Sequence, residues 1–583
     1  MSRLDHAKAA ALILIMTVVA YWPAMRGEFL WDDGKNVSEN PLLQSVHGLK
    51  QIWLNPRASF QYYPLTYTSH WVEYHFWGTR TLGYHLVNVL IHAANAYLVG
   101  LVLTRLSVPG VWLAAALFAL HPVQVQSVAW ISERKNVLSA LFGLCAILAY
   151  LHFAFGLKCR WRFYSLALGL FLCALLSKTA TVILPLSMLL VLWWKKPKVT
   201  RSDLCALLPF VSVGIASALL TSWLEINYGS AQGPEWSLSF WERILIAGRA
   251  IWFYVGKLIW PEPLMMVYPR WHIDVNQWWQ YLLPVSVVAA IATLWKFQDR
   301  FGRGPLVAAI VFVAVLAPTP AFIPIAFMRY SYVADHWQYL PSIGMLALAA
   351  ASAAKFMTSR WLQPVGFIVL LLLGVLTWNY AHAFGSPVSL WQDNVRKNPE
   401  AWVAQYNLGA LLADSGKLDE ASDHYQQALR VYPNYANAHN NLGSVYLQDG
   451  RTGMAIEQFL QAITNAPGVS QFYYNLGLAY ARAGDIQAAM EQWKHALALE
   501  PDNAAAHYNL GTALAQVGKP DLAFRHLQEA IRIKPGYVLA HFNLGSLLEE
   551  TGRPLEARKQ YEQVLQIRPD FEEARRRLER LRP

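Results

Sequence analysis

One spacing constrains the C-terminal part of the chain more than anything else in it. Asn-Leu-Gly begins at Asn407, Asn441, Asn475, Asn509 and Asn543, each copy 34 residues after the last. The same register holds Gly416, Gly450, Gly484, Gly518 and Gly552; Ala421, Ala455, Ala489, Ala523 and Ala557; and Pro433, Pro467, Pro501, Pro535 and Pro569. A chain that returns to the same residue types at this period builds one supersecondary unit again and again, and each unit buries its apolar face only against its neighbours. The small residues let two helices approach, and the Pro marks the turn into the next unit. An all-α solenoid follows.

Period and pattern resemble the tetratricopeptide repeat. Five repeats are read over 402–571, a half-repeat linker over 386–401 and a charged capping helix over 572–583. The Asn series occupies the sixth position of each first helix, on the concave surface. There an amide can hydrogen-bond in both directions to an extended peptide, as in the similar repeats of O-GlcNAc transferase. Asn407, Asn441, Asn475, Asn509 and Asn543 are therefore candidate acceptor-peptide ligands, with plain repeat packing as the other reading.

Residues 1–385 are of a different kind: apolar runs rich in Trp and Phe, broken by short polar joints. Runs of a length to cross a bilayer are read at 9–24, 84–104, 111–128, 137–156, 163–177, 180–194, 204–223, 281–297, 305–325, 338–354 and 362–383, which makes about eleven spans in a polytopic helical bundle. The first ends at Trp22-Pro23 without a small-residue cleavage pattern and reads as an anchor. The net charge of +11 does not point to nucleic acid, because many of its Lys and Arg residues lie in the joints, where they orient a membrane protein. Arg3/Lys8, Arg105, Lys158/Arg160/Arg162, Lys195/Lys196/Lys198/Arg201, Lys296/Arg300/Arg303 and Lys355/Arg360 share one side if the spans alternate, and that side is cytoplasmic. The N-terminus is then cytoplasmic, and the outer loops 25–83 and 224–280 and the repeats are extracytoplasmic. Ile244–Trp260 is read as re-entrant or interfacial, since counting it as a span would invert every charge cluster after it. Cys145, Cys159, Cys173 and Cys205 show neither ligand spacing nor a disulfide framework.

Ionisable groups at membrane depth are costly and mark cavities or span ends. Those on the outer side are Asp32 and Asp33; His121 with Glu133, Arg134 and Lys135; Lys178; and Arg329, Asp335 and His336. Carboxylates and cations at one depth suit an anionic, lipid-linked substrate: a carboxylate takes the proton of an attacking hydroxyl, and Lys or Arg neutralises a phosphate leaving group. The bland alternative is ordinary polar loop ends.

The motifs, in their order along the chain, resemble the transmembrane O-mannosyltransferases with tetratricopeptide repeats and their bacterial relatives. They are Phe29-Leu30-Trp31-Asp32-Asp33, Tyr62-Tyr63-Pro64-Leu65-Thr66, Gly83-Tyr84-His85-Leu86-Val87-Asn88, His121-Pro122, Ser177-Lys178-Thr179 and Asp335 to Ser342, followed by the repeats. The resemblance implies a membrane glycosyltransferase of the GT-C fold in a bacterial inner membrane, with a polyprenyl-phosphate sugar as donor and inverting transfer to Ser/Thr of a protein held by the repeats. It puts the catalytic base on Asp32 or Asp33, where related folds also hold a divalent cation, and donor-phosphate binding on Arg134, Lys135, Lys178 and Arg329. His121, Glu133, Asp335 and His336 complete the outer-side site. Relatives often read His-Pro-x-His-x-Glu where this chain has Gln124 and Gln126, and eukaryotic members commonly have Lys-Glu at Lys178-Thr179. The alternative is a membrane-anchored repeat scaffold for protein assembly without catalysis.

Overall fold

The computed structural model describes residues 3–59, 61–156, 160–228, 236–316 and 326–581, and every regular element among them is helical. The chain forms two compact units, Met1–Ala401 and Trp402–Pro583.

Among the described residues of the first unit five helices are long and apolar enough to cross a membrane: Thr81–Arg105, Ile131–Phe155, Arg201–Tyr228, Trp278–Lys296 and Arg360–Ala383. The pair Val111–Leu120 and Pro122–Ala129, bent by 55°, has the length and composition of either a broken span or a re-entrant loop. The bend falls at His121-Pro122, where the ring removes an N–H and pushes the preceding residue into extended backbone. Of the expected eleven spans, five or six are met by length and composition among the described residues. Thr179–Lys195, Arg303–Leu316 and Ser342–Phe356 are shorter apolar helices. Arg3–Ala20 and Arg160–Ser177 begin on charged turns. Hydropathy finds apolar runs, but crossing ~30 Å takes about 20 helical residues, and several runs stop short. Lys158, Cys159 and the end of the run 305–325 lie outside the described residues.

The helix Phe240–Ile259, read as re-entrant or interfacial, starts at a capping box of Ser239 and Glu242 and buries Leu245, Ile246, Ala250 and Tyr254 while exposing Phe240, Trp241 and Trp252. The helix Thr81–Arg105 buries His85, Asn88, His92 and Asn95. On Thr81–Arg105, His92 and Asn95 both meet the Tyr339 hydroxyl, at 2.7 and 3.1 Å. The helix Pro387–Lys397, read above as a half-repeat, packs in the first unit: Trp391 is fully buried, and Asn394 accepts from the Val267 N–H at 2.7 Å.

The second unit is a run of helix pairs from Trp402–Asp414 and Leu418–Val431 to Val538–Glu550 and Pro554–Ile567, closed by Glu572–Arg580. Each Asn-Leu-Gly glycine faces a large side chain of its partner helix. A Cβ at Gly477 would lie 2.4 Å from Trp493 Nε1, so only Gly admits this approach. The closing helix buries Ala574 and pairs Arg577 with Glu549 at 3.2 Å.

Candidate active site

The Phe29 to Asp33 stretch ends in a turn whose two acids are used differently. The Asp33 N–H donates to the Leu30 carbonyl at 2.7 Å, and the Leu30 N–H donates to Asp33 Oδ2 at 2.8 Å. Asp33 Oδ1 accepts from the Ser132 N–H at 2.8 Å and from the Ser132 hydroxyl. Fully buried, with both oxygens engaged, Asp33 staples this loop to the turn Ile131–Glu133. Trp31, immediately before the two acids, has φ 41°, a region a bulky residue enters at a cost of about 1–3 kcal/mol. Its ring is held by Trp130, 5.8 Å away and nearly parallel, and edge-on by Trp391 at 5.1 Å.

Asp32, one residue earlier, has its backbone carbonyl tied to the Asn36 N–H and side-chain amide, both at 3.0 Å, but its Oδ1 is buried with no hydrogen-bond partner. Burial raises the Asp32 carboxyl to about 6, against the pull of Lys135, while Glu133 adds to the rise. Burial and the neighbouring Asp32 push Asp33 up as well.

Beside this turn the sequence Glu133-Arg134-Lys135-Asn136 fans out from the start of one helix. Lys135 Nζ lies 2.9 Å from Glu133 Oε1, and Lys178 Nζ lies 3.9 Å from Glu133 Oε2. Both lysine side chains keep some exposure, 15% and 16%, whereas Glu133 is buried, so the lysines form the more accessible part of the cluster. Burial lowers the Lys178 amine to about 8. Asn136 joins the parts: it donates to Glu133 Oε2 and to the His336 carbonyl and accepts from Lys178. His336 is edge-on to Trp130 at 5.9 Å. Asp32, Glu133, Lys135, Lys178 and His336 thus share one neighbourhood.

The other candidates go elsewhere. Every guanidinium nitrogen of Arg134 is occupied: NH1 by Glu73 at 2.6 Å and Ser69, NH2 by the Tyr84 carbonyl at 2.9 Å, and Nε by Asn88. That buried ion pair accounts for Arg134 structurally and leaves the lysines as the cations of the cluster. His121 caps its own turn through Nδ1 and donates from Nε2 to the Leu258 carbonyl at 3.1 Å. Asp335 accepts from the Tyr268 hydroxyl at 2.9 Å among tyrosines, and burial raises it to about 7. The Arg329 guanidinium sits over Trp236 at 5.6 Å.

Sequence reasoning missed Ser132, Asn136 and Glu73, and gave Asn88 a place in a motif but no role. Asn136 carried a faint signal as the residue one turn after Glu133. The two glutamines that depart from the relatives' pattern are both used: Gln124 Nε2 donates to Ser342 Oγ at 2.8 Å, and Gln126 holds His336 and Met266.

The residues do not fit a divalent cation at Asp32 and Asp33. Both oxygens of Asp33 take N–H and O–H donors, an ammonium stands near Asp32, and no three His, Cys, Asp or Glu converge among the described residues.

In the repeats, each Asn side-chain amide from Asn441 onward donates to the residue 35 positions earlier: Asn441 to Tyr406, Asn475 to Asn440, Asn509 to Tyr474 and Asn543 to Tyr508, at 2.8–3.3 Å. Asn407, in the first repeat, turns back to the Val403 carbonyl instead. At least one N–H of each of these amides is spent inside the solenoid, and the Asn441 and Asn475 oxygens also accept there, from Asn440 and Gln471.

Models of the tetratricopeptide repeat match residues 400–468, 474–538 and 514–581. The chain is 24% identical over 445 residues to a protein O-mannosyl-transferase of Caenorhabditis elegans, covering 73% of this chain and 63% of that protein. It is 25% identical over 513 residues to protein O-mannosyl-transferase TMTC1 of Homo sapiens, covering 74% and 56%. The chain therefore spans less than two thirds of the length of these relatives. The crystal structure of MamA protein aligns with a TM-score of 0.28 at 27% identity, over 30% of this chain and 96% of that one.

Proposed function

We propose that this chain, a tetratricopeptide-repeat homologue of the protein O-mannosyl-transferases, is a membrane glycosyltransferase acting on proteins, with Asp32 as its base. The donor is a polyprenyl-phosphate sugar and the acceptor a Ser or Thr hydroxyl. Asp32 takes the hydroxyl proton, the oxygen attacks the anomeric carbon from the face opposite the phosphate, and the C–O bond to phosphate breaks with its electron pair leaving on polyprenyl phosphate. Lys135 and Lys178 neutralise that charge, and the configuration inverts. The repeats hold the acceptor on the extracytoplasmic side, the carbonyl oxygens of the Asn ladder receiving peptide N–H groups. On this reading the membrane is a bacterial inner membrane and the N-terminus is cytoplasmic, the side favoured for basic joints.

The observation that carries this reading is the buried, partnerless Oδ1 of Asp32 near Lys135, which with Lys178 pairs to Glu133, next to a second acid wholly consumed by the fold. Intact-protein mass spectrometry of the envelope fraction, with and without the gene, reports both transfer and sugar mass. Asp32→Asn should lose about 10²–10⁴-fold in transfer while the protein accumulates normally. Asp33→Asn should instead reduce the amount of folded protein. A wild-type glycoprotein pattern in Asp32→Asn cells would reject the assignment. A stable stoichiometric partner with no sugar transferred by the wild-type chain would favour the scaffold.

A further inference from the structure

Gln126 is fully buried, and its Oε1 accepts from the backbone N–H of His336 at 2.9 Å. That bond fixes the amide's orientation, because a backbone nitrogen only donates. The same oxygen lies 2.9 Å from His336 Nδ1, so Nδ1 must carry a proton. The other end of the amide is anchored too, its nitrogen reaching the Met266 carbonyl at 3.3 Å and sulfur at 3.0 Å. A neutral imidazole with its proton on Nδ1 has a lone pair on Nε2, and no described protein group bonds to that nitrogen. Burial, aided by Lys178 and Lys135 and opposed by Glu133, lowers His336 to about 3, which keeps the ring neutral.

We infer that His336 Nε2 is a sugar-hydroxyl subsite beside Asp32, and that Gln126 is the positioning residue that keeps it an acceptor. The surrounding free donors are the ammonium groups of Lys135 and Lys178, which suit a phosphate. His336 adds the complementary element, a neutral acceptor, at the edge of the Trp130 ring. A ligand that is anionic at one end and bears hydroxyls at the other, a hexose 1-phosphate ester, matches that arrangement. Gln126→Glu would keep the hydrogen bonds to His336 but place a carboxylate against the ring. The imidazolium would be favoured, and Nε2 would become a donor.

This rests on the transferase reading, and the experiment separates the two. The full-length chain in nanodiscs is titrated with a polyprenyl-phosphate mannose, reading both the ligand-induced thermal shift and sugar transfer. His336→Leu should raise the donor KM about tenfold with kcat little changed, and His336→Gln, whose amide reaches the Nε2 position, should restore most of it. Gln126→Glu should raise the donor KM at low pH and recover as pH rises and the imidazolium loses its proton; Glu133, Lys135 and Lys178 face the same ring and are present in every variant. Unchanged donor KM and thermal shift in a folded His336→Leu, or no pH dependence in Gln126→Glu, overturns the subsite while leaving the transferase intact. If His336→Leu does not fold, His336→Gln against Gln126→Glu decides alone. A donor-induced shift that His336→Leu weakens, without transfer by the wild type, upholds the subsite and rejects the transferase.

Discussion

Two neighbouring carboxylates in one turn meet different surroundings, and that difference separates a base from a staple. Asp33 is saturated by Leu30 and Ser132, whereas Asp32 keeps an oxygen without a partner. A base works unprotonated, so kcat/KM should climb as pH rises through about 6, where burial holds Asp32. It should fall again above about 8, where Lys178, lowered by burial, loses its charge. A bell-shaped profile read from initial rates checks both limbs, and Lys178→Arg, which stays charged, should remove the alkaline one. Arg134 belongs to stability. Its pair with Glu73 has side chains 1% and 7% exposed, and Arg134→Leu should cost about 3–5 kcal/mol by leaving a buried charge alone. The double variant with Glu73→Leu should recover part of that loss in thermal unfolding in detergent.

The repeat helices pack through glycine. At Gly477 an added Cβ meets the Trp493 indole at 2.4 Å, and at Gly511 it meets Leu527 Cγ at 3.0 Å. Overpacking of this kind costs about 1–3 kcal/mol. Gly477→Ala should therefore lower the Tm of the repeat transition by about 2–4 °C per kcal/mol, and Gly511→Ala by less, since a leucine side chain shifts more readily than an indole held to the Tyr474 carbonyl. Circular dichroism at 222 nm measures both. The Asn ladder explains why the repeats form a continuous array: each side-chain amide from Asn441 onward hydrogen-bonds to the preceding repeat.

For the whole molecule, the division at Ala401 separates a unit with the candidate chemistry from a unit that binds peptide on the proposed reading. Tethering an acceptor raises its effective concentration, commonly by about 10²-fold or more in apparent affinity. Removing 402–583 should raise KM for protein acceptors by about that factor and leave KM for the lipid donor unchanged, as measured by transfer in nanodiscs. An equal loss for donor and acceptor would mean that the repeats support the fold of the first unit rather than its substrate.

The repeat register, the all-helical class and the apolar character of the first unit were legible in the sequence, because each depends on residues within one or two turns or one repeat of each other. Asp32, Glu133, Lys135, Lys178 and His336 could be singled out in the sequence as ionisable groups near the ends of apolar runs. What tertiary structure decided was which of those groups remain available. Asp33 meets Ser132 99 residues away, Gln126 meets His336 across 210, and Arg134 meets Glu73 across 61. Hydropathy likewise could not decide the number of spans, since runs of similar composition end at different helical lengths. A carboxylate's partner, like a helix's end, is set by what packs against it, and neither is written at its own position in the chain.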